Sequence, residues 1–182
     1  MSTTVYLALG ARDGEPKRHL LEGIASLEAS GVVIRRASSL WETEPVGIDG
    51  SAPVLNAALE ATTPLGPHDL LSACRAAEDR AGRRRGAEEW RSLDVDILLM
   101  GDLVMDDAEL TIPHPRFHRR RFNLAPLEEI APGQVHPILG ATIEDLLRAC
   151  DDGAWARRLE PGSWLTDRRP SRPPVASPEG RG

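Results

Sequence analysis

Residues 91–101 are Arg91-Ser92-Leu93-Asp94-Val95-Asp96-Ile97-Leu98-Leu99-Met100-Gly101, and they place two acids at the start of an apolar run. The run is rich in β-favouring and large apolar residues and ends in a turn signal, so it predicts a buried strand. Because side chains alternate along a strand, Asp94 and Asp96 should share one face. Two carboxylates this close need a cation beside them, and Mg²⁺ prefers oxygen ligands. The acid pair is explained equally well if the start of the strand is exposed to solvent and the acids form a salt bridge with Arg91.

Composition limits the class of protein. With 182 residues and 41% hydrophobic content, the chain can form one domain with a proper core. The net charge of −6 argues against a protein that coats nucleic acid, whereas arginine clusters at 83–85 and 116–121 favour a small polyanionic ligand. Cys74 and Cys150 lack metal-ligand spacing and are expected to be reduced core residues. Because there is neither a membrane-length apolar run nor a signal peptide, we expect a cytoplasmic protein.

The hydrophobic pattern predicts elements in the order β-α-β-β-α-β, which is that of a ferredoxin-like α+β fold. The predicted strands cover residues 5–10, 32–41, 54–61 and the aspartate stretch, and the predicted helices cover 17–29 and 70–81. Helices should cover one face of the sheet and leave the other for ligands. We expect a single domain over 1–165, followed by a disordered Pro- and Arg-rich tail over 166–182.

Several local patterns complete the prediction. Residues 103–105 could pair with the aspartate strand as a hairpin, and residues 123–130 and 141–149 should be helical. Thr142, with Asp145 three residues later, is a weak capping box. The long Pro/Gly loop over 42–50 is typical of a binding loop. Asn56 lies among apolar neighbours, either satisfied by nearby backbone or available to a ligand's polar edge.

Together, the acid pair, the arginine clusters, His114 between two prolines and the long loop suit phosphoryl or pyrophosphoryl transfer. No Gly-x-x-x-x-Gly-Lys-Ser/Thr sequence and no protein-kinase glycine loop is present. These absences exclude a P-loop kinase and a protein kinase. The chain would therefore build its nucleotide site from side chains.

Over residues 5–147 the chain resembles the 6-hydroxymethyl-7,8-dihydropterin pyrophosphokinases of folate biosynthesis. The most specific segment is 91–101, which is similar to the family's Arg-Thr-Leu-Asp-Leu-Asp-Ile-Leu-Leu-x-Gly. The supporting matches, in the family's order, are Tyr6-Leu7-Ala8-Leu9-Gly10, Trp41-Glu42-Thr43-Glu44-Pro45-Val46-Gly47, Leu55-Asn56-Ala57, Pro113-His114-Pro115-Arg116 and Arg120-Arg121-Phe122. The resemblance implies a ferredoxin-like α/β/α sandwich with an antiparallel sheet. It also implies transfer of pyrophosphate from ATP to the pterin's hydroxymethyl group, with release of AMP.

The resemblance also implies roles for individual residues. Asp94 and Asp96 would bind two Mg²⁺ ions that hold the ATP phosphates, while Arg83 and Arg91 would be catalytic, stabilising the transferred group. The implied ATP contacts are Glu78, Trp90, Ile97, Thr111, His114 and Arg120. The implied pterin contacts are Thr43, Pro45, Val46, Asn56 and Phe122, of which Asn56 would hydrogen-bond the pterin edge and Phe122 would stack on its ring.

The chain departs from the family pattern at several positions. Val54 occupies the place of the usual Tyr or Phe, Ala11-Arg12 replaces Ser-Asn, and the loop before Arg91 is shorter, so Arg84 or Arg85 could take the role of Arg83. Two alternatives stay open: a related kinase or pyrophosphokinase for another hydroxymethyl heterocycle, and a non-catalytic nucleotide-binding regulator. The expected partners are ATP and a pterin, with no nucleic acid and no membrane, and a monomer is expected.

Overall fold

The computed structural model describes residues 2–12, 14–45, 52–81, 92–159 and 161–166. Its strands are β1 (Thr3–Ala11), β2 (Val33–Ala37), β3 (Trp41–Thr43), β4 (Val54–Thr63), β5 (Leu93–Met100), β6 (Met105–Asp106), β7 (Thr111–Ile112) and β8 (Ala156–Arg158). Its α-helices are α1 (Pro16–Ala29), α2 (Pro67–Arg80), α3 (Arg121–Ile130) and α4 (Ile143–Ala149), with 3-10 turns at Phe117–Arg119 and Gly162–Leu165. None of the helices in these ranges is long and apolar enough to cross a membrane.

Six strands form one antiparallel sheet in the order β5-β1-β4-β3-β8, and β2 pairs with β4 as well. The single strand predicted over 32–41 is therefore wrong, because the structure divides it into β2 and β3. The division falls at Ser38, whose Oγ accepts a hydrogen bond from Ala58 N at 2.9 Å. The hydroxyl takes the place that a backbone carbonyl would fill in a continuous strand.

One face of the sheet packs on α1 and α2. Leu7 and Leu9 of β1 and Leu59 of β4 are at most 1% exposed and lie in one cluster with Ile24 of α1 and Leu70 of α2. Side chains two residues apart on a strand point to the same face, so this alternation builds the larger core.

The opposite face is partly covered by α3 and α4, so the prediction that helices lie on one face only is wrong. Leu124 and Leu127 of α3 pack with Tyr6, Ala58 and Leu98 in a second core cluster. The α+β sandwich with an antiparallel sheet is confirmed. The pocket lies beside this second helical layer, at the end of the sheet near the acid pair.

Strand β5 presents its residues as the alternation predicts. Val95 and Ile97 are buried on the α1/α2 face, which directs Asp94 and Asp96 to the opposite face. The register against β1 then shifts between Tyr6 and Leu7, so the alternation is interrupted only beyond the acids.

The hairpin predicted between residues 103–105 and β5 is wrong. Strand β6 pairs with β7 instead, with Met105 opposite Ile112. The outer edge of β5 is taken by a later segment, because His114 N donates to Leu98 O at 3.0 Å. The cap predicted for α4 is confirmed, since Thr142 Oγ1 accepts from Asp145 N at 3.1 Å.

Candidate active site

A pocket of about 260 Å³ opens on the α3 side of the sheet. Four strands and the start of α3 contribute its lining. The lining residues are Ala8, Gly10, Ala11, Arg12, Thr43, Glu44, Val54, Asn56, Asp94, Asp96, Arg120, Phe122 and Asn123. The volume suits one flat ring system, towards the small end of ligand pockets.

Strand register forms the floor of this pocket. Asn56 of β4 pairs with Gly10 of β1, and Gly10 pairs on its other side with Asp94 of β5. In the same way, Ala8 of β1 lies beside Asp96. Neighbouring strands are about 4.8 Å apart, so the amide and the acids flank a strip of small residues about 10 Å wide.

Asn56 is held in one orientation. It is 6% exposed, and its Nδ2 donates to Thr43 Oγ1 at 2.7 Å, with a longer contact of 3.4 Å to Val54 O. Its Oδ1 lies over Gly10, since a Cβ added there would be 2.9 Å from that oxygen. The sequence left two explanations open for Asn56: hydrogen bonds to nearby backbone, or a contact with the polar edge of a ligand. Nearby backbone explains only the longer contact of Nδ2, the one to Val54 O.

Three charged or titratable groups meet beside the acid pair. Burial lowers the pKa of His114, and the negative charge of Asp96 partly opposes this effect. Burial and nearby Arg116 lower the pKa of Arg120, again opposed by Asp96. The Arg120 guanidinium carbon also lies 5.4 Å from the centre of the Phe122 ring. This mixture of cationic and carboxylate groups suits a polyanion that carries a metal ion.

The carboxylates of Asp94 and Asp96 suit a Mg²⁺ ion that also binds phosphate oxygens of a ligand. No group of three or more His, Cys, Asp or Glu side chains able to hold a metal is found within the described ranges. Mg²⁺ is commonly held by one or two carboxylates together with substrate phosphates and water. Asp94 is exposed and Asp96 half-buried on the pocket face, so both can reach such an ion.

Other predicted ATP contacts lie away from the pocket lining. Ile97 is 4% exposed in the α1/α2 core, which leaves only its backbone for a ligand. Glu78 is 5% exposed, and its Oε1 accepts from Val95 N at 3.0 Å, which supports β5 from the α2 side. Thr111 Oγ1 donates to Asp106 Oδ1 at 2.7 Å. An ATP role for each of these stays a prediction.

Several predicted site residues lie outside the described ranges. These are Val46, Arg83, Arg84, Arg85, Trp90 and Arg91. Of the predicted pterin contacts, Thr43, Asn56 and Phe122 line the pocket, and Pro45 directly follows Glu44, which also lines it. The structure therefore brings together the pterin half of the predicted site and its acid pair.

The sequence prediction gave no ligand role to two polar lining residues, Arg12 and Asn123. A signal for Asn123 was present, because it is the one polar residue within Phe-Asn-Leu-Ala-Pro-Leu at 122–127. The same kind of signal, a polar residue among apolar neighbours, identified Asn56. For Arg12, which directly follows β1, we find no comparable pattern.

Comparison with known proteins identifies the family of this chain. The family model described as 7,8-dihydro-6-hydroxymethylpterin-pyrophosphokinase (HPPK) matches residues 6–132. The 2-amino-4-hydroxy-6-hydroxymethyldihydropteridine pyrophosphokinase of Bacillus subtilis (strain 168) is 38% identical over 133 residues, covering 71% of this chain and 79% of the relative. The enzyme of the same description from Aquifex aeolicus (strain VF5) is 36% identical over 137 residues, covering 74% and 84%.

Solved structures agree on the fold. The HPPK-DHPS of Plasmodium falciparum, wild type with pteroate, superposes with a TM-score of 0.68 at 15% identity. The match covers 82% of this chain and 44% of that chain, so this chain spans less than half of that protein. At this identity the likeness supports the fold alone.

Proposed function

The chain belongs to the 7,8-dihydro-6-hydroxymethylpterin-pyrophosphokinase family, and we propose that it transfers pyrophosphate from ATP to 6-hydroxymethyl-7,8-dihydropterin. The products would be AMP and the pyrophosphoryl ester, a step of folate biosynthesis. ATP is the co-substrate of this activity. The chain's small-molecule partners would accordingly be ATP and a pterin.

One observation supports this function most strongly. Across three neighbouring strands, Asn56, Gly10 and Asp94 lie side by side on the pocket face. An amide that can orient a flat heterocycle is thus about 10 Å from a carboxylate that can hold a metal with phosphates. A heterocycle bound against Asn56 would direct an attached hydroxymethyl group towards the acids.

We assign the pterin to the Asn56 side of the pocket. Thr43 fixes the Asn56 amide, and Phe122 would stack on the ring, which favours flat aromatic ligands. Holding the ring in place brings its hydroxymethyl oxygen within reach of the β-phosphorus, which lowers the entropic part of the barrier. A new bond from this oxygen to the β-phosphorus would form as the bond to the α-phosphate oxygen breaks, and the hydroxyl proton would be released.

We assign the phosphates to the acid pair. Two Mg²⁺ ions bound by Asp94 and Asp96 would neutralise charge on the phosphates. Burial lowers the pKa of His114, which favours the neutral ring, and its Nδ1 accepts from Arg116 N at 3.2 Å, which leaves an Nε2–H to donate. Arg120 and the catalytic arginines Arg83 and Arg91 would stabilise charge on the transferred group.

The direct test measures AMP after mixing the protein with Mg²⁺, ATP and 6-hydroxymethyl-7,8-dihydropterin. AMP formation that depends on the pterin is expected. Asp96→Ala should abolish turnover and Mg²⁺-dependent ATP binding, while Asp102→Ala, in the exposed turn after the same strand, should not. ATP binding without AMP would refute the activity, and unchanged ATP affinity in Asp96→Ala would refute the metal role.

Val54 supports a second candidate function. It lines the pocket where the family usually has an aromatic residue, so one face of the bound ring would lose its stacking partner. A pyrophosphokinase or kinase for another hydroxymethyl heterocycle is therefore the alternative. A substrate screen would favour it if another heterocycle released AMP, or was phosphorylated, faster than the pterin. The monomeric state and cytoplasmic location stay predictions, which size-exclusion chromatography and cell fractionation can test.

A further inference from the structure

Asn123 places a carboxamide in the pocket lining, and none of the described residues accepts a hydrogen bond from its nitrogen. The residue is 2% exposed and belongs to the pocket lining. Among the described residues, no acceptor pairs with its Nδ2. A buried donor without a partner destabilises the folded state, and such groups are rare unless a ligand, ion or water satisfies them.

The surroundings of Asn123 favour an apolar residue on packing grounds alone. It lies in the first turn of α3, between Phe122 and Leu124, and Leu124 and Leu127 are both fully buried in the second core cluster. A leucine at position 123 would continue this apolar stripe. The amide therefore has no structural role that the described contacts reveal.

The two amides of the pocket offer complementary groups. Asn56 enters from the sheet, and its Nδ2 is committed to Thr43 Oγ1 at 2.7 Å, which leaves its Oδ1 as an acceptor for a ligand. Asn123 enters from the helical layer and has an unused donor, Nδ2. Together they suit a flat heterocycle that carries both an N–H donor and a carbonyl or ring-nitrogen acceptor.

We propose that Asn123 is a further specificity-determining residue, whose Nδ2 donates to an acceptor on the edge of the bound heterocycle. This inference rests on the proposed function and adds a substrate contact to it. A ligand that lacks an acceptor at this edge would leave the amide buried and unpaired, and the site would discriminate against it.

The test compares Asn123→Leu, which is close in size but apolar, with the wild-type protein. Pterin affinity is measured by calorimetry in the presence of Mg²⁺ and a non-hydrolysable ATP analogue. Asn123→Leu should weaken pterin binding about tenfold or more, equal to about 1.4 kcal/mol, and leave the affinity for the ATP analogue within about twofold. The Tm of the ligand-free protein should rise by about 2 °C or more, because a buried unpaired donor is removed.

Two further variants make the result specific. Asn123→Asp keeps the shape but replaces the donor with an acceptor, so it should weaken pterin binding more than Asn123→Leu does. Leu124→Met changes the next residue of α3, whose side chain lies in the core, and should leave both affinities unchanged.

Wild-type pterin affinity in a folded Asn123→Leu protein would overturn the inference, because water or packing would then satisfy the amide. If that variant does not fold, wild-type pterin affinity in Asn123→Ser or Asn123→Asp would overturn it equally. A wild-type protein that makes AMP while these variants bind pterin normally refutes the Asn123 contact alone. A wild-type protein that neither binds pterin nor makes AMP refutes the proposed function, and the Asn123 contact with it.

Discussion

Gly10 controls how the side-chain amide of Asn56 is placed. The absence of a side chain at Gly10 lets the Oδ1 of Asn56 lie over the backbone of β1, at a point where a Cβ would be only 2.9 Å away. The Nδ2 of Asn56 is fixed by Thr43, so the amide cannot move aside without breaking that bond. A glycine in the middle of a strand normally weakens the strand, and here it admits a close approach.

Gly10→Ala should therefore displace the Asn56 amide. We expect KM for the pterin to rise about tenfold, which is the loss of one well-oriented hydrogen bond, while KM for ATP changes little. Steady-state kinetics with each substrate varied in turn measures this difference. Gly133→Ala is the matched control, since a Cβ added there meets no atom of the described residues within 4 Å. Equal changes in the KM values for the pterin and for ATP would show that Gly10 does not act on the pterin alone.

Hydrogen bonds of Glu129 connect α3 to β3, the strand that contains Thr43. Its Oε2 accepts from Ser39 N at 3.0 Å and from Trp41 Nε1 at 3.1 Å. Its Oε1 accepts from Ser39 Oγ at 2.7 Å and from Arg158 Nη2 at 3.0 Å. One carboxylate thus connects α3 with the region before β3, with β3 itself and with β8, and it fixes the helix that presents Phe122 and Asn123 to the sheet.

Glu129→Ala should reduce the free energy of unfolding by about 3 kcal/mol, because several partly buried donors lose their acceptor at once. Urea unfolding measures this loss. Glu128→Ala is the control, because Glu128 lies on the same helix and has no hydrogen bond or ion pair among the described residues. Similar losses in the two variants would show that the helix, rather than the Glu129 contacts, is sensitive to substitution.

A histidine cluster connects the 3-10 turn at Phe117–Arg119 to the loop before α4. The rings of Phe117 and His136 stack at 5.3 Å, and His118 meets His136 edge-on at 5.7 Å. Burial lowers the pKa of both histidines below the ordinary 6.5. His136 Nδ1 also accepts from Ile138 N at 3.2 Å, which requires an unprotonated nitrogen.

This cluster predicts a loss of stability in mild acid. A folded-state pKa below 6.5 means that the unfolded chain binds more protons, so the contribution is complete above pH 6.5 and is lost as the pH falls through the folded-state pKa. Urea unfolding at several values between pH 7.5 and 5 should show the decline. The double variant His118→Gln, His136→Gln should show a shallower slope, and an unchanged slope would locate the effect elsewhere.

At the scale of the whole molecule, local patterns were predictable and distant contacts were not. The alternation around Asp94 and the cap at Thr142 depend on residues close in sequence, and both were predicted correctly. Glu129 meets Ser39 across 90 positions, and β8 adds the last strand from beyond α4. No short periodic pattern encodes such pairings. For the site, the family motifs supplied Phe122, and a polar residue among apolar neighbours identified Asn56. The same pattern at Asn123 gained meaning only once the structure placed that residue in the pocket lining.

The 3-10 turn at Gly162–Leu165 contributes to the core. Trp164 is 1% exposed, belongs to the larger core and donates its Nε1–H to Ser38 O at 2.9 Å. The backbone oxygen of Ser38 lies at the break between β2 and β3, so the end of the described chain supports the middle of the sheet. The domain predicted over residues 1–165 thus has a core residue, Trp164, one position before its expected end.

Trp164→Ala should reduce the free energy of unfolding by about 3–5 kcal/mol, the usual loss for a fully buried tryptophan. Trp155→Ala is the control, since that side chain is 43% exposed and its removal should change stability little.

A chain ended after Thr166 should match the full chain in urea unfolding if residues 167–182 form the tail that the sequence predicts. A large loss in the shortened chain, or none in Trp164→Ala, would place the boundary elsewhere.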